Sequence, residues 1–168
     1  MKKLFVPTRE VKDLDDIDFL ALNKAGYENI ILDVDNTIVP WNDHTATPEL
    51  LQKIQHIKDA GFKICLLSNN NSTRRVETLA NELDILAVPK GIKPFPRGFK
   101  YALEKLGGDI HNTVVIGDQI FTDVLGGNIM GMTTILVNPI SKNEFFTTKF
   151  MRLLERIFMG RNIEDENK

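Results

Sequence analysis

Residues 30–41 read IILDVDNTIVPW. Three apolar residues stop at Asp33, a second carboxylate follows at Asp35, and Asn36 and Thr37 then favour a turn. The run is too short for a helix and rich in isoleucine, so it reads as a buried strand. In extended backbone, residues i and i+2 point the same way, so Asp33 and Asp35 could share a face. The fold follows from what surrounds this stretch. Four more short apolar runs end in polar turn residues: FKICLLSNNN (62–71), ILAVPK (85–90), NTVVIGDQ (112–119) and TTILVNP (133–139). Helical patterns stand between them. Thr47 caps and Pro48 opens a helix with Leu50, Leu51, Ile54 and Ile57 at helical spacing, and Gly61 ends it. STRRVETLANELD (72–84), PRGFKYALEKLG (96–107), FTDVLGGNIMGM (121–132) and KNEFFTTKFMRLLERIFMG (142–160) read as further helices. Asp18 N-caps a short helix before the first strand, with Gly26 as its stop. Strand and helix thus alternate five times. The expectation is an α/β fold, a Rossmann-like parallel sheet with helices on both faces and right-handed crossovers. One domain spans residues 1–168, and residues 161–168 are expected to be a disordered tail.

Open parallel sheets bind ligands beyond the carboxyl ends of their strands. Asp33, Asp35 and Thr37 follow the first run, Ser68 and Asn69 the second, Lys90 and Lys93 the third, and Asp118 and Asp123 the fourth. Taken singly, each is an ordinary strand-end turn or helix cap. All four in order at one sheet edge point to chemistry. Two carboxylates ~4 Å apart repel by roughly 4 kcal/mol at an effective dielectric near 20, so such a cluster calls for a cation. Oxygen ligands without nearby His or Cys favour Mg²⁺ over Zn²⁺. A site of this kind suits a phosphoryl group. One carboxylate can attack phosphorus, and a second can protonate the leaving alkoxide. Ser68 and the amides after it can hold phosphate oxygens, and a lysine can offset charge.

Composition sets the outer bounds. Of 168 residues, 42% are apolar and 26% charged, with a net charge of −2, which gives no case for nucleic-acid binding. The single cysteine, Cys65, excludes an internal disulfide and reads as a small buried hydrophobe. No apolar run is long enough to span a bilayer and no signal-peptide core is present, so a cytoplasmic protein is the default.

The motifs resemble those of the haloacid dehalogenase superfamily over about residues 29–138. DVDNT is similar to its first motif, LLSNN to the second, GIKP to the third and IGDQIFTD to the fourth. The resemblance implies Asp33 as nucleophile, Asp35 as general acid/base, and Ser68 and Asn69 at the phosphate. It implies Lys93 as the active-site lysine, with Lys90 as the other candidate, and Asp33, Asp35, Asp118 and Asp123 at a Mg²⁺ ion. Asp35 would also offer its backbone carbonyl. LDVDNTIVPW, KPFPRGF and GDQIFTDVLGGNIMGM together resemble the YqeG family of class IIIA phosphatases. That family is similar to phosphatidylglycerophosphate phosphatases, which implies a phospholipid head group as the phosphorylated substrate.

Cap domains of this superfamily lie after the first motif or between the second and third. Both intervals here hold one helix and short turns, so no cap domain is expected. The segment 142–160, with Arg161 directly after it, carries five cations against two acids and a stripe through Phe146, Phe150, Leu153, Leu154, Ile157 and Phe158. Two uses are open to it: packing on the sheet or a partner subunit, or peripheral contact with an anionic membrane. Two other functions stay open as well. A phospho-accepting receiver module uses a similar acidic pocket but needs an aspartate at its third strand, where VPK stands. A non-catalytic scaffold would bind membrane or partner through its last helix. Oligomeric state is not legible.

Overall fold

The computed structural model describes residues 2–41, 43 and 45–141. Six strands form one wholly parallel sheet in the order β1-β6-β5-β2-β3-β4. They are β1 (Arg9–Val11), β2 (Asn29–Leu32), β3 (Lys63–Leu67), β4 (Leu86–Val88), β5 (Thr113–Gly117) and β6 (Thr133–Val137). The helices are α1 (Phe19–Lys24), α2 (Pro48–Asp59), α3 (Thr73–Glu82), α4 (Pro96–Leu106) and α5 (Leu125–Met130). The α/β architecture is as expected. Five strands were legible and a sixth was not. The edge strand β1 is three residues, REV, pairing with β6 from Arg9 level with Ile135. It is mostly exposed and two of its residues are charged, so it gives neither an apolar run nor alternation.

The side-chain period of two divides the sheet into two cores. Ile30, Leu32, Ile64, Leu66, Val114 and Ile116 face α1, α2 and α3. Ile31, Cys65, Leu67 and Val115 face the other way, onto Phe99, Ala102 and Leu106 of α4. Cys65 is fully buried, and desolvation pushes its thiol up to about 12, so it is an inert core residue. Each helix begins where its cap chemistry dictates. The Asp18 carboxylate accepts from the Ala21 N–H (2.9 Å), and Thr47 Oγ1 accepts from the Leu50 N–H (3.2 Å).

The chain passes from β2 to β3 and β4 on one side, then returns to β5 and β6 on the other. The strand order therefore reverses at β2, and a crevice opens beyond its carboxyl end. Leu32 is level with Leu66 of β3 and Ile116 of β5, so the residues that follow these strands meet at one edge. Residues 33–47, between β2 and α2, contain among the described residues only an isolated bridge between Asp35 and Val39. β3 connects to β4 through α3 alone. The segments 142–160 and 161–168 lie outside the described residues. No helix among the described residues is long and apolar enough to cross a membrane.

Candidate active site

Asp33 follows β2 directly. Its N–H donates to the Ile116 carbonyl (2.9 Å), so the central pairing runs one residue past the strand and fixes where the carboxylate leaves the backbone. Asp118 follows β5, one strand away. Asp123 lies in a π-type turn, Ile120–Val124, that leads into α5. One carboxylate oxygen from each of Asp33, Asp118 and Asp123 lies within 4.8 Å of the others. The Thr37 hydroxyl stands between two of them, 2.9 Å from Asp33 Oδ2 and 3.2 Å from Asp118 Oδ1. With one proton, it donates to one and lies beside the other. Thr37, one helical turn's sequence distance beyond Asp33, is a site residue to which sequence reasoning assigned no role.

Lys93 is the cation of the cluster. It is 3% exposed, and its ammonium donates to Asp33 Oδ1 and to Asp123 Oδ1, the latter at 2.7 Å. Lys90, the other candidate, is exposed on the same loop. Three contacts hold that loop. The Gly91 N–H donates to the Ser68 carbonyl (2.7 Å), and Gly98 of α4 approaches the Gly91 backbone so closely that a Cβ would collide with it. The third contact is made by Asn69. Its Oδ1 accepts from the Lys93 N–H (2.6 Å), and its Nδ2 donates to the Lys93 carbonyl (3.0 Å). Expected at the phosphate, the Asn69 side chain is instead committed to the backbone of the site lysine. Ser68 is fully buried at the end of β3, and its Oγ accepts from the Asn70 N–H (3.0 Å), so the hydroxyl proton is available to a ligand.

Asp35 stands two residues beyond Asp33 and half-buried, and its carboxylate is not part of the three-acid cluster. Asn36, with φ 63, reverses the chain after it. The Asn36 carbonyl accepts from the Ile140 N–H (2.9 Å), and its Oδ1 accepts from the Ser141 hydroxyl (2.7 Å) and the Trp41 N–H (3.3 Å). The stretch after β6 therefore braces the loop that carries Asp35, a link no sequence pattern announces.

The electrostatics of the cluster favour a cation. Burial first, and then the charges of Asp33 and Asp123, raise the Asp118 carboxyl to about 9. Burial likewise raises Asp123, to about 7, although Lys93 opposes it. Burial alone would depress the Lys93 ammonium, but Asp123 and Asp33 outweigh it and hold it above the ordinary lysine value. With all three carboxylates ionised, one ammonium leaves two negative charges to be balanced, the charge of one divalent cation. The donors are oxygens only, which suits a hard ion. Asp33, Asp118 and Asp123 could hold it.

A family model described as haloacid dehalogenase-like hydrolase matches residues 13–131. The chain belongs to that family. As a haloacid dehalogenase-like hydrolase it is an enzyme whose relatives carry phosphatase names. The "Probable phosphatase YqeG" of Bacillus subtilis is 40% identical over 156 residues, covering 93% of this chain and 90% of that one. The "Phosphatidylglycerophosphate phosphatase 1, chloroplastic/mitochondrial" of Arabidopsis thaliana is 28% identical over 170 residues, 95% of this chain. This chain spans 49% of that longer protein. A solved structure from Listeria monocytogenes serotype 4b shares the fold, with a TM-score of 0.54 at 17% identity, over 77% of this chain and 99% of that one.

Proposed function

We propose that this haloacid dehalogenase-like hydrolase is a Mg²⁺-dependent phosphatase that cleaves a phosphate monoester through phospho-Asp33. Phosphomonoester hydrolysis follows from its family and relatives; the ion, intermediate and substrate are the further reading. One observation carries it: Asp33, Asp118 and Asp123 converge around Lys93 at the point where the strand order reverses. A Mg²⁺ ion held by Asp33, Asp118 and Asp123 would neutralise phosphoryl charge and orient the phosphate. Asp33 Oδ attacks phosphorus as the ester P–O bond breaks, and Asp35 gives its proton to the leaving alkoxide. Asp35 then takes a proton from water as that water attacks phosphorus, and Asp33 is released with inorganic phosphate. The Ser68 hydroxyl and the backbone amides after it hold the non-bridging oxygens. Lys93, fixed by Asn69, holds the charge of Asp33 and of the transferring group.

The connections flanking β2 and joining β3 to β4 support an uncapped site, which admits a large phosphorylated substrate. Kinship with phosphatidylglycerophosphate phosphatases makes a phospholipid head group the leading substrate. The test is phosphate release with Mg²⁺ from phosphatidylglycerophosphate in detergent micelles, beside sugar phosphates and nucleotides. Asp33→Asn abolishes release from every ester accepted. Metal-dependent turnover that survives this substitution rejects Asp33 as the nucleophile.

A further inference from the structure

Two loops meet at the site, and each exposes large apolar side chains. The loop after β4 buries Lys93 yet exposes Ile92 (55%) and Phe95 (46%) on either side of it. The turn after β5 buries Asp123 yet exposes Ile120 and Phe121. The 2.7 Å contact between Lys93 and Asp123 draws the two loops together. Phe5 stands edge-on to Phe121, with ring centroids 5.5 Å apart, and is itself exposed, as are its neighbours Leu4 and Val6. Water around a charged cleft gives no reason for large apolar side chains on its rim, and a patch of this kind marks a contact surface.

Charge indicates the partner. Residues 85–101 contain no acid, while Lys90, Arg97 and Lys100 are exposed there. Residues 2–9 also contain no acid, and Lys3 and Arg9 are exposed. The chain as a whole carries −2. Basic residues interleaved with exposed aromatic and aliphatic ones complement an anionic lipid surface, which takes the apolar side chains at head-group depth and the cations at its phosphates.

We propose that this rim docks on an anionic bilayer, with Ile92, Phe95, Ile120 and Phe121 entering the head-group layer so that the cleft meets a lipid phosphate in place. The proposal rests on the phosphatase reading only for what the docked cleft does there; the docking itself needs no turnover. Sedimentation of the full chain with phosphatidylcholine vesicles, with and without phosphatidylglycerol, tests it. The chain partitions onto the phosphatidylglycerol vesicles. Ile92→Ser with Phe95→Ser lowers that partition about tenfold, and Lys3→Gln with Arg97→Gln lowers it severalfold, both with unchanged circular dichroism. Phe95→Trp, which keeps the apolar bulk, retains binding and is quenched by brominated lipid. Vesicle binding that is absent, or that the rim substitutions leave unchanged because residues 142–168 carry it, overturns the proposal. So does a change in oligomeric state on Ile92→Ser with Phe95→Ser, which would make the rim a contact between copies of this chain. Rim-dependent binding without release from any phosphate ester would sink the phosphatase reading and leave docking intact; release without binding does the reverse.

Discussion

Lys93 illustrates how much one side chain can hold. Its ammonium is buried between Asp33 and Asp123. Removing it leaves buried carboxylates without a cationic partner, so Lys93→Met is expected to cost about 3 kcal/mol of stability in urea unfolding without metal. Asp123→Asn in the same chain recovers part of that loss, because one of the stranded charges is gone. Equal stability for wild type and Lys93→Met would mean that the ion pair does not form. Asn69 acts one step further out. Both ends of its amide are bonded to the Lys93 backbone, so Asn69→Ala frees the loop while leaving every proposed phosphate contact in place. Turnover at saturation is then expected to fall about tenfold with little change in KM, the mark of lost positioning. A rise in KM alone would return Asn69 to direct phosphate binding. At this scale the sequence was legible in residue type and opaque in partner. Asp33, Asp118, Asp123 and Lys93 stand out by their places after strands, but SNN looks the same whether its first asparagine meets a phosphate or a backbone.

Among the elements, β2, β3 and β5 are legible because burial on both faces makes each a nearly continuous apolar run, and β6, partly covered, keeps enough of one. β1 has no such signal because an edge strand of three residues needs only its pairing with β6. The sequence pattern after β5 fits one helix, whereas the chain there forms a π-type turn followed by α5. The wider turn coincides with Asp123, as π-type turns often coincide with functional positions. Its carboxylate is turned back over the end of β5, where Oδ2 accepts from the Gln119 N–H (3.2 Å) and lies against Gly117. A Cβ at residue 117 would occupy the space of that carboxylate, which explains a glycine at the close of a strand otherwise made of β-branched residues. Gly117→Ala is therefore expected to leave the sheet folded and to weaken Mg²⁺ binding about tenfold, seen as a larger Mg²⁺ requirement in a thermal-shift titration. An unchanged requirement would show that Asp123 does not support the ion.

For the molecule as a whole, the acid cluster makes stability depend on pH and metal together. Without a cation, burial holds Asp118 at about 9 and Asp123 at about 7, both above the ordinary carboxyl value of 3.8. Between the unfolded and folded values, the folded chain binds more protons than the unfolded one, so stability falls as pH rises. The contribution is complete below the unfolded value and is lost as pH passes through about 7 and then about 9. Soluble domains are ordinarily most stable between about pH 5 and 8, so a steady decline across that window is distinctive. The metal-free chain is expected to melt several degrees lower at about pH 8 than at about pH 5. Mg²⁺ reverses the trend, because it takes the place of the protons on Asp118 and Asp123 and binds more tightly where they are already gone. Stabilisation by Mg²⁺ is therefore small at the acidic end and large at the alkaline end. Scanning calorimetry at both pH values, with chelator or with Mg²⁺, measures all four corners. A melting temperature that does not fall with pH in chelator, or a Mg²⁺ effect equal at both ends, would show that the three carboxylates do not share one ion.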